Sequence, residues 1–139
     1  MSAAPRPVLF ACVHNAGRSQ MAAAFFERAC DRARVRALSA GTEPASGVHP
    51  EVVAAMREVG IDLSAARPQL LTAELAREAR LLVTLGCGER CPSVPGLEVL
   101  DWPLPDPKGQ GLDAVRAIRD EVRRRVDELL ARRGWLALA

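Results

Sequence analysis

The 139-residue sequence has no tyrosine, only three phenylalanines and two tryptophans, and no apolar stretch approaching the length of a membrane span. A transmembrane helix is thereby excluded, and no membrane partner is expected. Neither sign of charge is in excess: 19 Lys and Arg face 17 Asp and Glu, a net +2, with the basic residues spread along the chain. That distribution lacks the clustered cationic footprint of a nucleic-acid binder, so no nucleic-acid partner is expected either. The opening Met-Ser-Ala-Ala-Pro-Arg-Pro has no apolar segment of a secretory signal, which points to a cytoplasmic location. Repeats, low-complexity tracts and linkers are also missing. With 49% hydrophobic residues, the length suits one domain over residues 1–139 with its own core, expected as a monomer.

What the chain does have is four cysteines, Cys12, Cys30, Cys87 and Cys91. In a cytosolic protein of this size, thiols serve catalysis, redox chemistry or metal binding more often than a permanent disulfide framework.

Strand and helix signals alternate. Val8–Ala11 reads as a buried strand, and Ser19–Arg32 as a helix with Met21/Ala22, Phe25/Phe26 and Ala29/Cys30 on its apolar stripe. Val35–Ser39 is a second strand. A helix begins at Pro50, after His49, and Gly60 stops it. Thr72 caps a short helix to Arg77, Ala79–Leu85 and Leu97–Leu100 are further strands, and Val115, Ile118, Val122, Val126 and Leu129 mark the last helix. Asp120/Arg124 and Glu121/Arg125 are acid-before-base pairs four apart on that helix, so Arg123-Arg124-Arg125 reads as a solvated face. Strands separated by helices predict an α/β fold: a four-stranded parallel sheet with helices on both faces. Ligands of such sheets bind beyond the carboxyl ends of the strands, where Cys12 falls.

The stretch Cys12-Val13-His14-Asn15-Ala16-Gly17-Arg18-Ser19 joins the first strand to the first helix. A loop in that place presents backbone N–H groups in one direction, and the helix dipole adds partial positive charge, so it can hold an oxyanion. The C-x5-R spacing allows the sulfur to lie beneath a tetrahedral anion while Arg18 grips its oxygens. The same field stabilises a thiolate, making Cys12 a candidate nucleophile. Gly17 lets the backbone curl, Asn15 tolerates left-handed dihedrals, and Ser19 can donate to the sulfur. His14 reads as a loop surface residue, and Cys30 as core packing.

"VLFACVHNAGRSQM" at Val8–Met21 resembles the phosphate-binding loop of the low-molecular-weight protein tyrosine phosphatase superfamily, specifically its arsenate reductase branch. The resemblance continues through "SAGT" at Ser39–Thr42, "GVHPEVVAAMREVGIDLS" at Gly47–Ser64, "LVTLGCGERCP" at Leu82–Pro92 and "DWPLPDPKG" at Asp101–Gly109. It implies the low-molecular-weight phosphatase fold. Phosphatases of the superfamily carry Arg-Ser-Pro after the loop, Asp-Pro-Tyr at the acid and a nearby tyrosine pair. This chain has Arg18-Ser19-Gln20 and Asp106-Pro107-Lys108 instead.

The resemblance implies reduction of arsenate to arsenite, with Cys12, Arg18, Asp106, Cys87 and Cys91 as catalytic residues. Val13, His14, Asn15, Ala16, Gly17, Arg18 and Ser19 would bind the oxyanion, for which phosphate and sulfate are mimics. Cys12 attacks arsenic, Asp106 protonates the departing oxygen, Cys87 attacks Cys12 sulfur, and Cys91 moves the disulfide outward. No bound cofactor is expected, only an external thiol reductant: thioredoxin, or a low-molecular-weight thiol such as mycothiol or bacillithiol with a mycoredoxin-like or glutaredoxin-like protein. Thioredoxin-coupled members separate their second and third cysteines more widely than the C-x3-C found here. Members that hold potassium beside the loop use a glutamate where this chain has Ala23, so no metal is expected. A zinc half-site at Cys87 and Cys91 would need His14, His49 or Cys12 as further ligands, at no suitable spacing. Asp101 reads as a loop-bracing carboxylate, and Trp102 as packing beside the site. A phosphate monoester hydrolase and a non-catalytic oxyanion or thiol sensor are the alternatives.

Overall fold

A computed structural model describes residues 5–86 and 94–137. Its elements follow in the order β1 (Pro7–Cys12), α1 (Arg18–Ala29), β2 (Arg36–Gly41), α2 (Pro50–Arg57), α3 (Ala73–Glu78), β3 (Leu81–Thr84), β4 (Val99–Asp101) and α4 (Leu112–Arg133). The strands form one sheet in the order β2-β1-β3-β4, and every pairing is parallel. β1 is therefore central, which explains why its residues are apolar without alternation.

Successive β1 side chains still divide between two cores. Val8, Phe10 and Cys12 face a large core built with α1, α2 and α4, while Leu9 and Ala11 face a smaller one with Leu71, Ala76 and Leu82. Helices thus cover both faces. Phe10 lies 5.6 Å from Phe26 and 6.0 Å from Trp102 between ring centroids, so α1 and the end of β4 are packed on the strand that carries Cys12. Burying such rings removes a large apolar area from water, about 1.5–3 kcal/mol per side chain.

The predicted elements are found with shifted ends. The first helix stops at Ala29 instead of Arg32, because Cys30 turns extended and bridges to Leu136. Cys30 is buried as expected, and burial raises its thiol above the ordinary value. Thr72 caps α3 by accepting from the Leu75 N–H at 3.1 Å. The Glu121/Arg125 pair forms at 3.1 Å, but Asp120 accepts from Arg119 at 2.9 Å and Arg124 turns to Glu121 and Glu128. Arg119 is the nearly buried cation of the α2–α4 contact, and it holds Ala55 O, Glu58 and Asp120 together. No helix among the described residues is long and apolar enough to cross a membrane.

Glu58 receives Arg116 at 2.6 Å and Arg119 at 2.8 Å, and these hydrogen bonds lower its carboxyl from 4.5 to about 2. A carboxyl depressed in the folded state stabilises fully above its unfolded value and ceases to do so as pH falls through its folded one. Thermal stability should therefore decline between about pH 4.5 and about pH 2 partly through this group. Melting of Glu58→Gln, followed from neutrality down to about pH 2, should show a lower plateau near neutrality and a shallower acid slope.

Candidate active site

β1 ends on Cys12 and α1 begins at Arg18, so the intervening loop lies at the carboxyl edge of the sheet. Six consecutive loop carbonyls each have a donor. Cys12 O accepts from Thr42 N at 3.3 Å, Val13 O from Glu43 N at 2.8 Å, and His14 O from Ala45 N at 3.0 Å. Ala16 O accepts from His49 N at 3.0 Å, Gly17 O from Met21 N at 2.9 Å, and Asn15 O from Gln20 Nε2 at 3.0 Å. In a trans peptide the N–H lies opposite the C=O. Carbonyls drawn outward therefore turn the N–H groups of residues 13–18 toward the inside of the loop. α1 adds to this polarity, since its first turn has no acidic residue and Gly17 provides no side-chain cap.

The curl is made by Asn15, at φ 50°, the one non-glycine with positive φ among the described residues. Its side chain holds the turn in place. Oδ1 accepts from Gln69 N at 2.9 Å and from Gln20 Nε2 at 3.3 Å, while Nδ2 donates to Ser19 Oγ at 2.7 Å. Ser19 Oγ lies 2.8 Å from Cys12 Sγ. Because Ser19 receives a hydrogen from Asn15, its own hydroxyl hydrogen is available to a thiolate at Cys12.

Two glycines set how closely the surroundings approach. A Cβ on Gly41 would lie 2.6 Å from Val13 O and 2.9 Å from Asn15 N, so β2 must end on glycine for the loop to fit beside it. A Cβ on Gly17 would lie 2.6 Å from Pro107 Cγ. Pro107 thus seats the segment carrying Asp106 directly on the loop.

Arg18 is buried, and its guanidinium closes the mouth of the loop. Nη1 donates to Leu104 O at 3.0 Å, Nη2 stands 3.8 Å from Asp106 Oδ2, and Nε is buried with no partner among the described residues. A Cβ on Gly86 would collide with Nη1, which places that glycine against the same group. Asp106 uses its other oxygen, Oδ1, to accept from Lys108 N at 3.0 Å, so it is both a turn residue and a neighbour of Arg18. Cys12 is only 2% exposed, and three surface cavities among the described residues, of about 310, 550 and 380 Å³, are lined by other residues.

His49 forms part of the same wall. Burial lowers its imidazole below the ordinary value, against the pull of Asp106 and with a further push from His14 and Lys108. His14 Nδ1 contacts Glu43 O at 3.1 Å and is half-buried, less exposed than a plain surface residue. Asp101 braces the end of β4 by accepting from Thr84 Oγ1 at 2.7 Å, and Trp102 is buried behind it.

Cys12, Val13, His14, Asn15, Ala16, Gly17, Arg18, Ser19 and Asp106 therefore come together in one place. Cys87 and Cys91, and with them any zinc half-site, lie outside the described residues. Sequence reasoning missed the roles of Gln20, Gly41, Gln69 and His49. Gln20 alone left a signal, a polar residue where the apolar stripe of α1 begins.

The chain belongs to the low molecular weight phosphotyrosine protein phosphatase family, whose profile matches residues 7–134. Within that family its relatives include arsenate reductases. A Halobacterium salinarum protein provisionally named an arsenate reductase is 42% identical over 86% of this chain and 87% of its own. A glutaredoxin arsenate reductase of Synechocystis is 35% identical over 91% of this chain and 98% of its own. The structure of a thioredoxin-dependent arsenate reductase of Corynebacterium glutamicum superposes with a TM-score of 0.80 at 39% identity, covering 94% of this chain. The present chain spans 63% of the length of that one. The four-stranded parallel α/β architecture expected from the sequence is that of this family.

Gly41→Ala should push the loop backbone outward, since the two nearest atoms the new Cβ would meet, Val13 O and Asn15 N, are main-chain atoms that can give way only if the loop itself shifts. Sulfate or phosphate affinity, measured by calorimetry, should fall about tenfold or more, with a smaller loss of thermal stability.

Proposed function

We propose that this protein reduces arsenate to arsenite, with Cys12 as nucleophile and an external thiol system as the source of electrons. The supporting observation is the loop itself: six carbonyls each held by a donor, which turns the peptide N–H groups toward Cys12 Sγ, beside a buried Arg18 Nε with no partner among the described residues. An unsatisfied buried donor costs about 1–3 kcal/mol, and an oxyanion seated in the loop would relieve that cost. Arsenate has the tetrahedral shape and the charge for it.

Chemistry starts with Cys12 thiolate, hydrogen-bonded by Ser19, attacking arsenic. One As–O bond breaks as the As–S bond forms. The departing oxygen takes a proton from Asp106, whose Oδ2 is the oxygen not engaged in the turn to Lys108. Inward N–H groups and Arg18 hold the charge that develops on the remaining oxygens. The resulting adduct is still As(V). Cys87 thiolate attacks Cys12 sulfur, the S–As bond breaks, and its electron pair leaves with arsenic as arsenite. Two thiols have become one disulfide, which balances the two electrons. Cys91 then attacks Cys87, freeing Cys12 and leaving a Cys87–Cys91 disulfide for an external reductant. That reductant is a dithiol protein of the thioredoxin or glutaredoxin kind, consistent with the names of two relatives.

Arsenate-dependent oxidation of NADPH, coupled through thioredoxin, glutaredoxin or low-molecular-weight thiols, tests the scheme. Cys12→Ser and Cys87→Ser should abolish turnover with thioredoxin, and full activity in Cys87→Ser would refute the relay. If the double variant Cys87→Ser/Cys91→Ser hydrolyses phosphate monoesters at the native rate of arsenate turnover, the protein is a phosphatase instead. Asp106→Asn should slow the first chemical step about 100-fold. Sulfate affinity should stay within a few-fold of native in that variant, because the carboxylate touches Arg18 but not the inward N–H groups.

A further inference from the structure

Five of the six loop carbonyls accept from main-chain N–H groups, and Asn15 O does not. Its donor is Gln20 Nε2, at 3.0 Å, and the same nitrogen reaches Asn15 Oδ1 and Arg67 O, each at 3.3 Å. Gln20 is 6% exposed and Asn15 fully buried, so no solvent can replace this donor. The contact falls on the one loop residue whose φ is positive. We propose that Gln20 is a positioning residue that locks the peptide between Asn15 and Ala16 with its N–H toward the bound oxyanion. The proposal rests on the reading of this loop as the arsenate site.

Without that amide, Asn15 O would be a buried acceptor lacking its donor. The peptide can escape by rotating, since Asn15 already sits in a sparsely populated region of backbone conformation. Rotation moves Ala16 N–H out of the loop and brings Asn15 C=O in. An inward donor is then replaced by an inward negative dipole, so anion binding loses twice. The second arm of the clasp acts on the thiol. Gln20 and the Gln69 N–H both donate to Asn15 Oδ1, which leaves Nδ2 facing Ser19 and the Ser19 hydrogen free for Cys12. With Cys12 as a thiolate, the hydrogens passed from Asn15 Nδ2 to Ser19 and from Ser19 to Cys12 run toward the sulfur. Arg67 O, the third acceptor, ties the clasp to the segment of residues 67–71, which is anchored to β2 by Gly41 N to Gln69 O at 2.9 Å and Leu71 N to Gly41 O at 2.8 Å. A proline at position 20, as in the phosphatase branch, has no side-chain donor and cannot make any of these contacts.

The test uses Gln20→Leu, close in volume but without donors, and Gln20→Glu. Calorimetry with sulfate should show affinity about tenfold or more weaker in Gln20→Leu, and arsenate KM should rise by a similar factor while kcat changes less. Alkylation of Cys12 by iodoacetamide, followed on its own peptide by mass spectrometry, should slow about tenfold near neutral pH. It should match the native rate near pH 10, where ordinary thiols are ionised. In Gln20→Glu the new carboxylate repels the two Asn15 oxygens, and sulfate binding should recover as pH is lowered and the carboxyl regains an O–H donor. A merely structural residue would show no such recovery, and Gln20→Glu carries the test alone should Gln20→Leu fail to fold. Native sulfate affinity and alkylation in Gln20→Leu, or a pH-independent defect in Gln20→Glu, would overturn the proposal. Neither outcome bears on arsenate turnover by the native protein, which fails separately if Cys12→Ser remains active.

Discussion

The site depends on the outward pull exerted on the carbonyls of residues 12–17. Residues 42–49 do most of this work through main-chain donors, so the anion-facing surface is dictated by backbone geometry more than by side-chain identity. Such a surface changes little on binding, because its dipoles are fixed before the ligand arrives. Arg18 stands at the edge of this surface. Its Nη groups are committed to Leu104 O and Asp106, and an entering anion competes with both. Under the proposed function, arsenate would exchange an internal ion contact for an external one and give the buried Nε a partner it does not have among the described residues.

Linking Arg18 to the Asp106 segment also couples the proposed acid to the proposed anion site. Pro107 on Gly17 and Asp106 beside Arg18 give the segment two attachments to the loop, one steric and one electrostatic. The carboxyl is thus held at the mouth without being buried. Its own turn hydrogen bond to Lys108 N fixes which oxygen faces inward. Trp102, packed on Phe10 in the large core, stands behind this wall.

The sequence shows the sheet readily, because β1 and β3 are continuous apolar runs and parallel sheets bury both faces. Cys12, Asn15, Gly17, Arg18 and Ser19 were legible as a unit since all lie within one strand-to-helix turn, where local geometry alone suggests the chemistry. Asp106 needed the family resemblance. Gly41, Gln69 and His49 were not legible, as each acts on the loop across at least 25 residues of intervening chain, a distance only the folded state removes. The end of α1 was misplaced for the same reason: its apolar stripe continues to Cys30, but an antiparallel bridge to Leu136 takes that residue out of the helix. On α4, the expected Asp120–Arg124 pair gave way because Arg119, pinned between helices, was nearer to Asp120.

The two ends of the described chain lie at the pole of the sheet opposite the loop. Pro7 begins β1, and residues 134–137 are tied to the far end of α1 through Asp31 N to Trp135 O at 2.7 Å and Ala137 N to Ala29 O at 3.0 Å. Trp135 is held there between Arg80 and Arg133, 4.8 and 5.7 Å from its ring. Segments attached before Pro5 or after Ala137 would accordingly leave from the pole opposite the loop, away from the edge that carries Cys12.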